Sequence, residues 1–435
     1  MFALINILVF TFVTLYAFRL LFSKDSYVKL SATEEVLLNG REKFLIFTLA
    51  TGMIAISTLG LSSIRLMIWL LMMIFAFIMM RKSPRFNLFT GVYLIFLLWL
   101  IIAIVLAPSL PYAIRMFLKY LYPFVALLFA ATFVQSKDFI FVAIRWMLIA
   151  ALIVSIFLGG FMTHIVGVWF FYLNGVFWPI STLADYLAVM SAVSLVMWWR
   201  TKEKKYLFLI LWFILSATLQ SVRTGVLSIG IMLIMWTYLR FKLASLPFIL
   251  GGVLIGVSMI LYVPSIKEKM FYVPEKVQSI NDITESYEKN NLNTSMRATM
   301  WADLLKRFYV DNRWLGSGLG AVQHYMYTHY VFGGLKVPHN DFVQLACDTG
   351  KIGVWLYLLF PLMTYIFLMK HVHKLPRTQT QVSAVLAILS YAAILPSMNF
   401  DNVVNYAFAA HAYPFIFIGI FMASRFEENN KDSYA

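Results

Sequence analysis

The chain has 435 residues, of which 61% are hydrophobic and only 13% charged. A water-soluble domain cannot hide that much apolar surface, so the composition excludes one and specifies a polytopic α-helical membrane protein. The net charge of +15, from 35 Lys and Arg against 20 Asp and Glu, does not call for nucleic acid here, because basic residues gather in the short loops that stay cytoplasmic.

Thirteen apolar runs follow in order, near 1–22, 44–61, 64–80, 87–107, 113–134, 139–158, 181–199, 206–221, 224–239, 244–263, 350–369, 381–399 and 404–424. Runs of about 20 apolar residues cross a bilayer as helices. The expected fold is therefore an all-α transmembrane bundle of about 12–13 spans. Residues 1–22 lack the basic start and small-residue cleavage site of a removable signal. The basic connections are Arg81-Lys82 with Arg85, Arg200 to Lys205, Arg240 with Lys242, Lys370 to Lys374, and Arg425. All fall on one side if each run from 64 onward spans once, which makes that side cytoplasmic.

The other side receives the one long polar stretch, and in a bacterial inner membrane it is periplasmic. The chain divides accordingly into N-terminal helices (1–263), a long loop (264–349) and C-terminal helices (350–435). Within the loop, Met296 to Phe308 has helical spacing, with Met300, Leu304, Leu305 and Phe308 on one side and Asn293 or Ser295 as the N-cap. Gly316, Gly318 and Gly320 make a flexible turn; no βαβ pattern surrounds them, so they do not read as a phosphate loop. Cys347 is the only cysteine. That excludes an intramolecular disulfide and Cys-ligated clusters, and leaves it as a small buried residue.

Four features carry chemistry. His339-Asn340 closes the long loop, followed after nine residues by Gly350 and then Gly353. A histidine at a membrane–water boundary can take a proton from a hydroxyl, with Asn340 orienting it or binding substrate; the same pair also reads as a helix cap. Gln220 to Gly225 forms a tight turn that presents Ser221 and Arg223, whose guanidinium fork suits phosphate oxygens or headgroups. Arg297 lies one turn from Trp301, either facing substrate or stacked on the indole. Arg115 and Lys119 share a helix face inside a span, where cations are costly and face a cavity or a partner. Asp185 and Asp401 are candidate partners for these cations. His164, His324, His329 and His411 lack metal-ligand spacing.

Taken together, Arg223-x-x-x-Leu227 after a span, a long external loop and His339-Asn340-x9-Gly350-x2-Gly353 entering a span resemble the O-antigen ligase family and its polymerase relatives. The resemblance covers 200–435 by motif and nearly the whole chain by topology. It implies a GT-C-like, metal-independent glycosyltransferase without cofactor, in the Gram-negative inner membrane. Its partners would be an undecaprenyl diphosphate-linked glycan donor, a lipid A–core acceptor and membrane lipid. Residue by residue, the family's loop histidine falls on His339 and its arginines on Arg223 and Arg297. Asn340, Arg115, Lys119, Trp301 and Ser221 are the expected substrate contacts. A polysaccharide polymerase using the same carrier is the nearest alternative, and a lipid-linked glycan transporter, which needs no such external loop, the more distant one.

Overall fold

A computed structural model describes the chain apart from residues 1, 31–33, 55–60, 159–179, 220–222, 280, 283–284, 287–290, 292, 294–295, 330–334, 373–374 and 433–435; the side chain of Arg223 is likewise outside the described part. The elements run α1 (Phe2–Leu21), β1 (Ser26–Lys29), β2 (Glu35–Leu38), α2 (Gly40–Ala50), α3 (Leu61–Met79), α4 (Leu88–Val105) and α5 (Leu110–Phe133). Then follow α6 (Phe139–Leu158), α7 (Ile180–Thr201), α8 (Lys204–Leu219), α9 (Arg223–Phe241) and α10 (Leu246–Tyr262). The long polar stretch holds α11 (Pro264–Met270), α12 (Arg297–Phe308) and α13 (Ala321–His329), and the chain closes with α14 (Asp341–Met369), α15 (Gln379–Ser397) and α16 (Ala412–Asp432). Among the described residues, nine stretches are long and apolar enough to cross a membrane, one of them uniting α9 and α10. The protein is a multi-pass all-α membrane bundle.

The core of the bundle is the set α5, α7, α15 and α16, in which α15 alone runs opposite to the other three. These helices are buried along nearly their whole length: 94% of the α7 span and 100% of the last span lie inside the protein, against 22% of α1. A helix apolar all round can sit in either place, so burial here is decided by neighbours rather than by hydropathy. Close approach is set by small residues. At Gly225 in α9, a Cβ would lie 2.4 Å from that of Ala184 in α7.

Two parts of the first third depart from the sequence expectation. The run 44–61 is not one helix: α2 ends at Ala50 after 11 residues, about 16 Å of rise and half a bilayer core. Its freed carbonyls would be stranded in hydrocarbon. In the last turn Tyr413 Oη donates to Leu49 O at 2.7 Å, and just beyond it Arg65 of α3 donates to Thr51 O at 3.2 Å and to Ile54 O. Its guanidinium lies between the Trp69 and Phe408 rings, 4.8 and 4.4 Å from their centroids. The second departure is the antiparallel β1–β2 pair, which the hydropathy reading does not contain. It sits on the basic side, where Arg145 donates to Lys29 O at 2.9 Å. Arg145 is therefore a strut for this hairpin.

Candidate active site

The site is built where the long polar stretch meets the α15–α16 connection. α12 and α13 share a small apolar core of their own, Met300, Leu304, Val322, Met326 and Cys347. The Met300–Leu304 face and the burial of Cys347 are as the sequence indicates. The residue before α12 is Met296, left-handed at φ 63°, and Ser295, one of the two expected capping residues, lies outside the described residues.

The glycine turn is a packed joint. Ser317 N and Gly318 N donate to Cys347 O and Asp348 O at 2.8 and 3.0 Å, and Gly320 N and Val322 N donate to the Asp348 carboxylate at 2.9 and 3.0 Å. This explains the spacing of the histidine motif. Residues 341–349 form a nine-residue helical strut, about 13 Å long, and Gly350 breaks the helix at φ 67°, ψ −172°. The chain turns there into the membrane. A Cβ at Gly350 would lie 2.1 Å from Trp314 O. Gly350→Ala should therefore destabilise the protein by roughly 2–4 kcal/mol, combining a left-handed backbone with overpacking. Thermal unfolding of the detergent-purified protein should show this as a lowered Tm.

At the other end of the strut, Asn340 caps it, its side-chain oxygen accepting from Val343 N at 2.9 Å. His339 itself is left-handed, φ 50°, a conformation that non-glycine residues adopt at a cost of order 1 kcal/mol and that surrounding contacts must hold. Those contacts come from the segment after α15. Asp341 N donates to Met398 O at 2.7 Å, and Val404 N donates back to Asp341 Oδ2 at 3.1 Å. The imidazole Nδ1 lies 3.1 Å from Asp401 Oδ1. That oxygen also accepts from Asn402 N at 2.8 Å and Tyr406 Oη at 3.4 Å. An ionised carboxylate only accepts, so Nδ1 is the donor in this pair and Nε2 is the ring nitrogen left for another partner. The histidine is 21% exposed and Asp401 only 4%. The imidazole is reachable while its carboxylate partner is sheltered.

The cations take different places. Arg297, first residue of α12, donates from Nη1 to Phe400 O at 2.5 Å, next to Asp401. Trp301 donates to Pro338 O at 2.7 Å, next to His339. The arginine is thus not stacked on the indole; each side chain ties α12 to one strand of the site. Lys119 of α5 donates to Asn405 Oδ1, within the same α15–α16 connection. Arg115 is exposed, its guanidinium 5.4 Å from the Tyr112 ring, and makes no bond to this cluster. Arg223 begins α9. Five residues on, Ser228 Oγ meets Ser397 Oγ at 2.6 Å, and Ser397 donates to Asp185 Oδ1 at 2.5 Å. This buried chain sets the start of α9 at the level of the Met398–Asp401 turn, about one and a half helical turns from Ser228. Ser221 lies outside the described residues. Asp401, read from sequence as a partner for a cation, is the partner of the histidine, and Asp185 is held by a hydroxyl.

A family model described as O-Antigen ligase matches residues 208–358, the stretch that runs from α8 through Arg223, α12 and His339 into α14. No curated protein matches the chain. Arg223, Arg297, His339 and both motif glycines fall inside the matched range, whereas Asp401 and Lys119 reach the site from outside it. The chain is a multi-pass membrane protein whose residues 208–358 are similar to the O-antigen ligase family.

Proposed function

We propose that the protein is an inverting, metal-independent glycosyltransferase that joins a polysaccharide from an undecaprenyl diphosphate carrier to a sugar hydroxyl of lipid A–core. It would act in a Gram-negative inner membrane with the site facing the periplasm. The observation that carries the reading is the His339–Asp401 pair at 3.1 Å, fixed beside the Arg297 anchor on Phe400. The neutral imidazole takes the acceptor hydroxyl proton on Nε2 as that oxygen attacks the anomeric carbon. The bond from this carbon to the diphosphate breaks, and the carrier diphosphate leaves with the electron pair. Attack opposite the leaving group inverts the anomeric centre. Asp401 stabilises the imidazolium that forms, as the buried acid does in Ser-His-Asp systems. Arg297 and Arg223, with Lys119 and Arg115 nearer the lipid, would supply the positive charge on which the departing diphosphate depends.

The test is transfer by the purified full-length protein from a carrier-linked glycan to separately supplied acceptors. Lipid A–core as the productive acceptor supports ligation; a second carrier-linked unit as the productive acceptor makes the protein a polymerase. In the same assay, EDTA should leave the rate unchanged to within about twofold, because arginine charge is not titrated by a chelator. A rate abolished by EDTA and restored by Mg²⁺ or Mn²⁺ would remove the arginine-only account.

A further inference from the structure

We propose that Tyr112, Arg115, His324, Tyr327 and Lys336 form a binding subsite for an anionic oligosaccharide, adjoining the reacting residues. The proposal rests on the glycosyltransferase reading above and adds a place where the sugar chain is held.

Three elements contribute. Tyr112 and Arg115 stand at the loop-side end of α5, His324 and Tyr327 on α13, and Lys336 on the strand leading to His339. The Tyr112 ring lies 5.3 Å from His324 and 5.7 Å from Tyr327, tilted against both. Two cations flank the group: the Arg115 guanidinium lies 5.4 Å from the middle ring, Tyr112, and the Lys336 ammonium 5.7 Å from Tyr327. The result is a row of rings with two positive charges beside it.

This row does not serve the apolar cores. None of the three rings belongs to either core cluster, and all five side chains are partly or fully exposed. Among the described residues, neither Arg115 nor Lys336 makes an ion pair. An aromatic ledge that is neither packed nor paired suits an amphipathic ligand. A sugar ring offers a face of C–H groups to an aromatic ring and hydroxyls at its rim to phenol and imidazole. Phosphate or carboxylate substituents suit the flanking guanidinium and ammonium.

The ledge also leads to the reacting residues. Lys336 precedes His339 by three residues. Arg115 is one helical turn from Lys119, which holds Asn405 in the connection that carries Asp401. A chain lying along the rings therefore runs toward the imidazole. Such chemistry has two sources, the acceptor oligosaccharide and the donor glycan.

Saturation-transfer NMR on the detergent-purified full chain distinguishes them. The probes are a delipidated phosphorylated core oligosaccharide, its dephosphorylated form, and the glycan repeat released from its carrier. Tyr112→Ala and Tyr327→Ala should each weaken binding of the responding probe about tenfold, and Tyr→Phe at either position should stay within about twofold of wild type. Arg115→Ala and Lys336→Ala should erase the preference for the charged probe. His339→Ala should bind as wild type does. The responding probe names the source. Absence of binding by every probe, or alanine variants that bind as wild type, would overturn the subsite. If the two Tyr→Ala variants fail to fold, an unchanged charge preference in Lys336→Ala overturns it. Failure of the enzymatic reading looks different: sugar binds at the ledge, and no acceptor is glycosylated. Failure of the subsite alone leaves transfer intact, with an unchanged KM in Tyr112→Ala.

Discussion

His339→Ala should lower glycan transfer by about 10³-fold or more, the scale of a lost general base, with insertion and Tm unchanged. Substitutions at Asp401 should separate its two contributions. The Asn402 amide, 2.8 Å from Asp401 Oδ1, would hold the carbonyl oxygen of an asparagine in the same place. Asp401→Asn therefore keeps an acceptor for Nδ1–H and removes only the charge that stabilises the imidazolium. It should cost about 10- to 100-fold in kcat, the worth of a charge-assisted hydrogen bond. Asp401→Ala loses the acceptor as well and should approach His339→Ala. The double variant His339→Ala/Asp401→Ala should be no slower than His339→Ala alone, because the pair acts as a unit. Single-turnover rates with a carrier-linked glycan measure all four. Wild-type turnover in Asp401→Ala would mean that the carboxylate orients nothing in the reaction.

Arg297→Lys and Arg223→Lys should each lower kcat by about 10²–10³-fold, the scale of removing one preorganised donor from a developing negative charge. Arg297 spends one N–H on Phe400 O and keeps the rest of its planar fork for a ligand. A lysine has one ammonium for both tasks and no fork, so it must give up the anchor or the diphosphate. For Arg223 the argument is chemical: bidentate contact with a phosphate needs two parallel donors. Loss in kcat with little change in donor KM would place the contact in the transition state. Lysine variants that turn over at the wild-type rate would show that charge alone suffices and would end the geometric argument.

Some of this was legible because it is local. A run such as 139–158 needs no partner to be recognised, since only a helix satisfies its own backbone in hydrocarbon. The His339–Gly350 spacing likewise reports one strut, folded from consecutive residues. The ends of elements were less legible. The left-handed Met296 that opens α12 has no signature in the sequence. The run 44–61 concealed a broken helix, because the donors that make the break tolerable, Arg65 and Tyr413, lie on other elements.

The amino-acid order alone determined that this is a helical membrane protein, and it singled out the histidine and arginines on which the proposed chemistry rests. Hydropathy and motif spacing act over a few turns, and their information survives in one dimension. Only the tertiary structure decided what those residues touch. Asp401 reaches His339 across 62 positions, Lys119 reaches Asn405 across 286, and Tyr112 meets a helix of the distant loop. Each pairing depends on how α5, α12 and the α15–α16 connection pack. Hydrocarbon favours every apolar arrangement of these helices about equally, so small residues and buried polar bonds, not hydropathy, select the one in which the groups meet.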